Sequence, residues 1–450
     1  MAAAREHHPE VPKPGQGADG PAERPIGAGC PSAAARRAPD QPPTGDEDGP
    51  DLFQDEWFRD PHPTYARLRA ECPVRQVRSP GGHEAWIVLG YAEAREALAD
   101  GRISKDVRAA GHIFARSGRR RDLAPAVSQT MLATDPPDHT RLRGLARAAF
   151  TPAAVHRLRP RIRAIAEGLA ESMAAEAGPV DLVERFALPL PVTVICELLA
   201  VPEADRAALG AWSSRLFLAG QPEVIDEASH QLADYLSELV ERRRRQPGDD
   251  LLSELIAARD AGDRLSEGEL VSLAALLLIA GHETTTNLLG TAVLSLLTHP
   301  EQLAWLRADL ARLPAAVEEL LRHDGPVNVA TFRFTTEPVR LAGVDLPADA
   351  VVMVSLGAAD RDPSRFPEPD RLDLRRRSAG HLAFGHGIHY CLGAPLARAE
   401  AEIGLGVLLR RFPGLRLAGP PEEVGWRRSR LMRGPESLFV LTRAEAGTAP

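Results

Sequence analysis

The chain contains few cysteines, and none of them is close to another along the sequence. Its 450 residues include only four, and they are widely scattered: Cys30, Cys72, Cys196 and Cys391. No C-x-x-C spacing occurs, which excludes both a paired-cysteine zinc site and a C-x-x-C-H haem attachment. Scattered cysteines are typical of proteins from a reducing compartment, so we expect a cytoplasmic protein.

Long apolar runs are also absent. The best candidate, residues 270–280, is followed at once by Gly281, His282 and Glu283, whereas a membrane-spanning helix needs about 20 consecutive apolar residues. The N-terminus has no apolar segment of the kind found in secretory signals. We therefore expect no membrane anchor and interpret the run as part of a core helix.

Lysine is nearly absent as well, since only Lys13 and Lys105 occur. Neither follows the glycines of a G-x-x-x-x-G-K-[ST] phosphate loop. The stretch GQGADG at 15–20 formally matches a dinucleotide fingerprint, but no strand precedes it and no helix follows it. The net charge of -8 argues against a nucleic-acid-binding protein, whose surface would be basic. The sequence therefore predicts neither nucleotide nor nucleic-acid binding.

What is present is a long run of helical patterns. Residues 1–50 are rich in Pro, Gly, Ala and charged residues and are predicted to be a disordered tail, whereas residues 51–450 are predicted to form one domain. Apolar residues recur with helical periodicity through much of that domain, and a polar, Arg-rich loop is predicted over 104–129. Short β-rich pieces are VRQV, AWIVL, RFTTEPVRLAGVDLP, AVVMVSL and SLFVLT. The prediction is a mainly α fold with small β-sheets.

The most distinctive stretch surrounds the last cysteine. It reads F-G-x-G-x-H-x-C-x-G from Phe384 to Gly393, directly before a long helical pattern. Glycines such as Gly385 allow close approach of the backbone to a planar ligand, and amide groups at a helix start favour a thiolate at Cys391. The pattern closely resembles the haem-thiolate loop of cytochromes P450. That resemblance implies that Cys391 is the axial iron ligand, that Phe384 packs beside its sulfur, and that His389 contacts a haem propionate.

A second segment, EELLR, supports the same resemblance. Glu319 and Arg322 lie one helical turn apart, which by itself predicts only a minor surface ion pair. The position, roughly 70 residues before the cysteine loop, resembles the structural E-x-x-R of the family, which implies a third arginine, here Arg376. The nearby ADRDP resembles the usual NRDP, with Asp360 in place of Asn, and we expect little consequence from that change.

Further cationic residues match the family's propionate contacts. In DHTRLR, His139 and Arg143 lie one turn apart, which without context is typical of a solvated helix end. The resemblance implies that both bind haem propionates, together with Arg333 and His389. Charged donors suit anionic carboxylates at a buried edge.

The polar interruption AGHETT lies inside the longest apolar segment. A zinc protease would need H-E-x-x-H, but no second histidine follows His282, so that interpretation is rejected. The stretch resembles the oxygen-binding motif of the P450 family. This implies that Ala280 and Gly281 leave room over the haem, and that Glu283 and Thr284 form an acid–alcohol pair that relays protons.

The resemblance, strongest to the actinobacterial macrolide-hydroxylase group, implies a cytochrome P450 fold, haem b with O2 as co-substrate, and hydroxylation or epoxidation of a bulky lipophilic molecule in natural-product biosynthesis. Electrons would come from a ferredoxin and its reductase, docking at Arg147 and Arg398 of a monomer. A peroxide-driven peroxygenase and a non-catalytic haem-thiolate sensor remain alternatives. Position along the chain predicts a mostly apolar substrate pocket, although the same residues would serve in an ordinary core: Met131, Leu132, Leu276, Leu277, Ala280, Val327, Val329 and Ala330.

Overall fold

The computed structural model describes residues 52–78, 84–116, 121–217, 221–260 and 265–443. The proposed disordered tail, 1–50, lies outside the described residues. The prediction of a mainly α fold with small sheets is confirmed.

The α-helices in the described ranges are given in chain order. They are α1 (Asp55–Arg59), α2 (His62–Glu71), α3 (Tyr91–Ala99), α4 (Gly111–Arg116), α5 (Pro125–Ser128), α6 (Asp138–Ala146), α7 (Pro152–Ala175), α8 (Pro189–Leu198), α9 (Arg206–Arg215), α10 (Pro222–Arg245), α11 (Leu251–Asp260), α12 (Glu267–Thr298), α13 (Pro300–Ala308), α14 (Leu313–Asp324), α15 (Leu356–Ala359) and α16 (Ala394–Arg411). Short 3-10 and π-helical turns connect several of them, including a π-helical turn at Val183–Ala187.

The central helix α12 spans 32 residues and organises the fold. It begins at a capping box, in which the Ser266 hydroxyl accepts from the Glu269 amide and the Glu269 carboxylate accepts from the Ser266 amide. Most of its side chains are buried, and it packs on α5, α8, α10, α14 and α16. The predicted core helix is therefore confirmed. No helix within the described residues is long and apolar enough to span a membrane.

The strands are short and form four small sheets. They are β1 (Val74–Arg78), β2 (Glu84–Val88), β3 (Ile103–Ser104), β4 (Val180–Asp181), β5 (Phe334–Thr335), β6 (Val339–Leu341), β7 (Val344–Leu346), β8 (Val352–Val354), β9 (Arg416–Leu417) and β10 (Phe439–Leu441). The sheet orders are β1-β2-β8, β4-β10-β9, β3-β5 and β6-β7. In the first sheet β1 pairs antiparallel to β2 with Val74 opposite Val88, and β2 pairs parallel to β8 with Trp86 opposite Val352.

The segment predicted as a loop over 104–129 is more structured than expected. Its described part contains α4 and α5, and α5 packs against the central helix α12. Pro125 supplies a favourable first residue for α5. A loop prediction based on polar composition missed both helices because each is only one or two turns long.

Candidate functional site

The cysteine loop is held by its own backbone just before α16. The Cys391 amide donates to the Phe384 carbonyl at 2.9 Å, which closes the loop. Gly385 and Gly387 both have a φ of +73°, a left-handed conformation that side chains rarely adopt. At Gly387 a Cβ would also lie 2.6 Å from the Leu98 carbonyl oxygen. The loop therefore needs glycine at both positions for its backbone angles, and at Gly387 also for its packing on α3.

Opposing effects act on the pKa of the Cys391 thiol. Cys391 keeps exposed surface, but burial by the surrounding protein raises the pKa of its thiol. The backbone amide of Gly393 and the charges of Arg143 and Arg398 oppose that effect without outweighing it. The helix-start amides of Gly393 and Ala394 thus favour the thiolate, as expected, but burial has the larger effect in the polypeptide alone, so the net pKa is raised. Binding to a metal would have to deprotonate this thiol.

A short part of α12 is accessible to solvent, whereas most of the helix is buried. Ala280 is exposed, and Gly281 and Thr284 are half-buried, in a helix whose other central residues are almost all buried. The Thr284 hydroxyl donates to the Ala280 carbonyl at 2.9 Å, so Thr284 reinforces its own helix turn. A Cβ on Gly281 would lie 3.1 Å from Cγ1 of Ile195 on α8. The space beside Gly281 is therefore occupied by helix packing, and Ala280 provides the small open position.

Glu283 is fully buried and carries an ion pair that the sequence did not predict. Nη1 of Arg427 donates to its Oε1 at 2.6 Å. The Ser214 hydroxyl lies 3.4 Å from its Oε2, and Nε2 of His282 lies 3.7 Å from the same oxygen. A buried carboxylate needs such compensation, because removing an unpaired charge from water costs several kcal/mol. Since Arg427 is partly exposed, its guanidinium connects this buried acid to the protein surface.

A second polar group, the cation cluster, consists of Lys105, Arg333, His139 and His389. Lys105 and Arg333 are 3% and 4% exposed, and the two imidazoles are in tilted contact with centroids 4.3 Å apart. Burial and the charges of the other cluster members lower the pKa of His389 to about 4, against the opposing effect of Asp135. Burial lowers the pKa of Arg333 to about 10.

Several polar atoms of the cation cluster have no hydrogen-bond partner within the described residues. They are Nδ1 of His139, Nε2 of His389 and Nε of Arg333. Buried donors left without partners are costly, so their convergence indicates a site for an acceptor-rich, anionic group. Arg143, which the sequence placed with this set, instead donates to the Tyr390 carbonyl at 2.6 Å, although its charge is near enough to lower the pKa of His139.

The predicted E-x-x-R contact is present and completely enclosed. Arg322 donates to both carboxylate oxygens of Glu319, at 2.7 and 2.8 Å, and both side chains are fully buried. Arg376 donates from Nε to Oε1 of Glu319 at 3.1 Å, as predicted among three consecutive arginines. Ser378 donates to the other oxygen at 2.5 Å. These contacts attach α14 to the segment before the cysteine loop.

The residues predicted for substrate binding and docking lie in different surroundings. Leu276, Leu277 and Met131 belong to the main hydrophobic core, and Leu132 packs against it. Val327 and Ala330 pack against a second core cluster, and Val329 is buried. Arg147 is exposed, whereas Arg398 is bound to both oxygens of Glu318, at 2.7 and 2.9 Å, and lies over the Phe384 ring.

Sequence reasoning missed Lys105, Arg427 and Ser214. Each reaches its site from a distant segment: Lys105 contacts Thr331, and Arg427 and Ser214 contact Glu283. None stands in a motif. Only the composition gave a signal, and only for Lys105. The chain has just two lysines, so each of them is a candidate for a specific role.

These features define a haem-thiolate class of protein: an enclosed cysteine loop at a helix start, an open position on a central helix, and a buried cation cluster. Comparison with known proteins agrees. The cytochrome P450 family model matches residues 192–424. Cytochrome P450 107B1 of Saccharopolyspora erythraea is 49% identical over 397 residues, covering 87% of this chain and 98% of that protein. The monooxygenase PikC of Streptomyces venezuelae is 49% identical over 392 residues, covering 86% and 93%.

A solved structure gives the same result. The tirandamycin C-bound P450 monooxygenase TamI matches with a TM-score of 0.82 and 46% identity, covering 87% of this chain and 99% of that one. The chain belongs to the cytochrome P450 family and is a monooxygenase. Membership implies haem and the use of O2. The unpartnered donors of the cation cluster fit that cofactor, because haem carries two carboxylates at one edge.

Proposed function

We propose that this enzyme hydroxylates or epoxidises a bulky lipophilic molecule of natural-product type, using O2 and electrons from a ferredoxin and its reductase. The observation that carries the proposal is Cys391, an exposed thiol held before α16 with the Arg143 and Arg398 charges nearby. A cysteine thiolate at haem iron favours O–O cleavage.

The residues that would hold the haem are assigned by contact. Cys391 would bind the iron, Phe384 would pack beside the sulfur, and Arg333, His139 and His389 would bind the propionates. The cofactor, when bound, supplies the oxygen activation and the oxidation of the substrate. The polypeptide supplies the axial thiolate, the orientation of the ring and access for protons.

Glu283 and Thr284 are the proposed proton carriers. Arg427 forms an ion pair with the buried Glu283 carboxylate, and the Arg427 side chain is itself partly exposed at the protein surface. The Thr284 hydroxyl, half-buried beside the exposed Ala280, would pass a proton from Glu283 or water toward the open face of α12.

The substrate class is supported by the open, apolar face and by the relatives. Relatives of this chain are named as a vitamin D(3) 25-hydroxylase, a 6-deoxyerythronolide B hydroxylase and a mycinamicin IV hydroxylase/epoxidase. The proposed pocket residues Met131, Leu276 and Leu277 are apolar, which suits a lipophilic substrate. A substrate-binding difference spectrum recorded across steroids, terpenoids and macrolides tests the class. Spectral shifts with small polar compounds alone would contradict it.

Electron delivery is proposed to occur on the side of the cysteine loop. Of the two predicted docking residues, Arg147 is the better one because it is exposed, whereas Arg398 is bound to Glu318. An acidic ferredoxin would be attracted by such a charge, and the rate of reduction would fall as salt increases. A reduction rate independent of ionic strength would remove Arg147 from the docking surface.

The axial ligand is tested by the carbonyl difference spectrum of the reduced protein. We expect the wild type to give a thiolate-type spectrum and Cys391→Ala to lose it. Cys196→Ala is the matched control, because Cys196 is also a free cysteine but is fully buried in the main core. Survival of the spectrum in Cys391→Ala would refute the assignment.

Turnover separates the remaining candidate functions. A ferredoxin-dependent monooxygenase should form product with the complete electron-transfer system and little with peroxide alone. The paired Glu283 favours this outcome, because a peroxide user or a sensor has no need of a charged proton carrier. Efficient turnover with peroxide alone would indicate a peroxygenase, and binding without turnover in either system would indicate a sensor.

A further inference from the structure

The cation cluster contains one member that no motif assigns, Lys105. It follows strand β3 at the start of the segment between α3 and α4, and it is 3% exposed. Its Nζ donates to the Thr331 hydroxyl at 2.6 Å, which fixes the ammonium beside the segment that carries Arg333, just before β5. Lysine side chains are rarely buried to this degree unless they are paired with an anion.

The charges around Lys105 do not balance. Arg333 and Lys105 are buried cations close enough to affect each other, and His139 and His389 add two imidazoles. The carboxylate that opposes them is Asp135, whose oxygens already accept from the Ser104 hydroxyl at 2.5 Å and the Lys105 backbone amide at 3.3 Å. The Lys105 ammonium itself therefore lacks a dedicated anion among the described residues.

We propose that Lys105 is a cofactor-binding residue whose ammonium pairs with a haem propionate. The inference rests on the proposed haem site and extends it by a residue from the segment between α3 and α4.

The pairing explains why a lysine is tolerated here. Burial, reinforced by Arg333, lowers the pKa of Lys105 well below its ordinary range, and Asp135 opposes the shift only in part. A carboxylate brought to the site would restore the charged form, since an opposite charge within about 4–6 Å favours ionisation. Lys105 thus contributes to haem retention in the holoprotein, whereas without the carboxylate its charged form is disfavoured.

The test compares Lys105→Met with Lys105→Arg and uses two cofactors. Haem transfer from each holoprotein to excess apomyoglobin gives the dissociation rate. We expect Lys105→Met to lose haem roughly tenfold faster than the wild type, the scale of a charge-assisted hydrogen bond, and Lys105→Arg to stay close to the wild type. With haem dimethyl ester, which has no carboxylates, Lys105→Met and the wild type should lose the cofactor at equal rates.

Other outcomes overturn the inference. An unchanged dissociation rate in Lys105→Met would do so, and so would equal acceleration with haem and its dimethyl ester, because that would indicate packing rather than charge. If neither the wild type nor Lys105→Met retains haem dimethyl ester, the protonation state of Lys105 is measured instead, with nitrogen-labelled lysine side chains. The chain has only two lysines, so the signal that is missing in Lys105→Met belongs to Lys105. In the reduced carbonyl form of the wild type, this signal should be that of an ammonium at neutral pH. A neutral amine would contradict the pairing.

The proposed function is tested separately by the same preparations. The carbonyl difference spectrum of the wild type is recorded first. Absence of a thiolate-type spectrum would contradict the haem-thiolate assignment. A thiolate-type spectrum combined with haem retention that does not depend on Lys105 would contradict only the pairing.

Discussion

Two buried charge networks in this molecule differ in how completely they are satisfied. In the E-x-x-R network, Glu319 is fully bonded to Arg322, Arg376 and Ser378, and every contact is made within the polypeptide. In the cation cluster, basic groups outnumber the carboxylates, and several donors lack partners within the described residues. A completed network holds segments of the chain together, whereas an incomplete one is suited to a ligand.

The comparison predicts its largest effect at Glu319. Glu319→Gln removes the charge that compensates the buried Arg322 and the partly buried Arg376, and breaking a buried pair in this way costs about 3 to 5 kcal/mol. We expect a large fall in the free energy of unfolding, measured by denaturant titration, with little soluble holoprotein. Glu318→Gln, at the next position but partly exposed with Arg398, is the control and should cost much less. Equal losses of unfolding free energy in Glu319→Gln and Glu318→Gln would show that burial does not distinguish the two ion pairs.

Arg333 should respond in the opposite sense. Arg333→Met removes a buried cation without a complete set of partners, so the free energy of unfolding of the haem-free protein should be unchanged or higher. The haem dissociation rate should rise roughly tenfold, because a charge-assisted contact to a propionate is lost. Measuring both quantities on one variant tests the distinction directly. A large destabilisation of the haem-free protein would mean that this cluster is structural too.

The two networks also differ in how far the sequence predicted them. Glu319 and Arg322 share one helix turn, and Arg376 was one of three adjacent arginines, so local spacing sufficed. The cysteine loop was predictable for the same reason, since its glycines and Cys391 lie within ten residues. Lys105 and Arg427 were missed because their partners lie 226 and 144 residues away, and such contacts leave no local pattern.

The fold shows the same dependence on range. The long helix α12 contains an apolar run, so residues 270–280 alone predicted that a core helix lies there. Strands of two residues, such as β3 and β4, exist only because a distant strand pairs with them. The contact at Gly281 depends on a distant residue in the same way, since Ile195 on α8 lies beside the position where a side chain would be.

Asp360 is the carboxyl group beside the E-x-x-R network that lacks a cationic hydrogen-bond partner in the contacts described. Burial raises its pKa to about 7, although the His381 and Arg322 charges and a hydrogen bond from the Leu382 amide oppose the shift. The folded protein therefore holds this proton more tightly than the unfolded chain, and stability should fall as pH rises from about 4 to about 7. We therefore predict that Asp in place of Asn affects stability, because this carboxyl is buried.

Asp360→Asn should remove that part of the pH dependence. We expect it to raise the free energy of unfolding by about 1 to 3 kcal/mol at pH 8 and to change it much less at pH 4, where the wild-type carboxyl is protonated. Denaturant titrations at both pH values measure the difference. The exposed Asp370→Asn is the control and should leave the pH profile unaltered. A uniform gain at both pH values would indicate better packing instead of a lost charge.

Glu283 is intermediate between the two networks, and its test has the smallest expected effect. Its partner Arg427 is firmly bound, but Ser214 and His282 lie 3.4 and 3.7 Å from Oε2, so this oxygen retains capacity to bind water.

Arg427→Gln keeps a hydrogen-bond donor but removes the charge. We expect peroxide release per electron pair to rise by a factor of about two to five, with substrate affinity unchanged, because proton delivery becomes less reliable. Arg427→Lys should restore coupling, and its failure to do so, or unchanged coupling in Arg427→Gln, would show that Arg427 only fastens the C-terminal segment to α12.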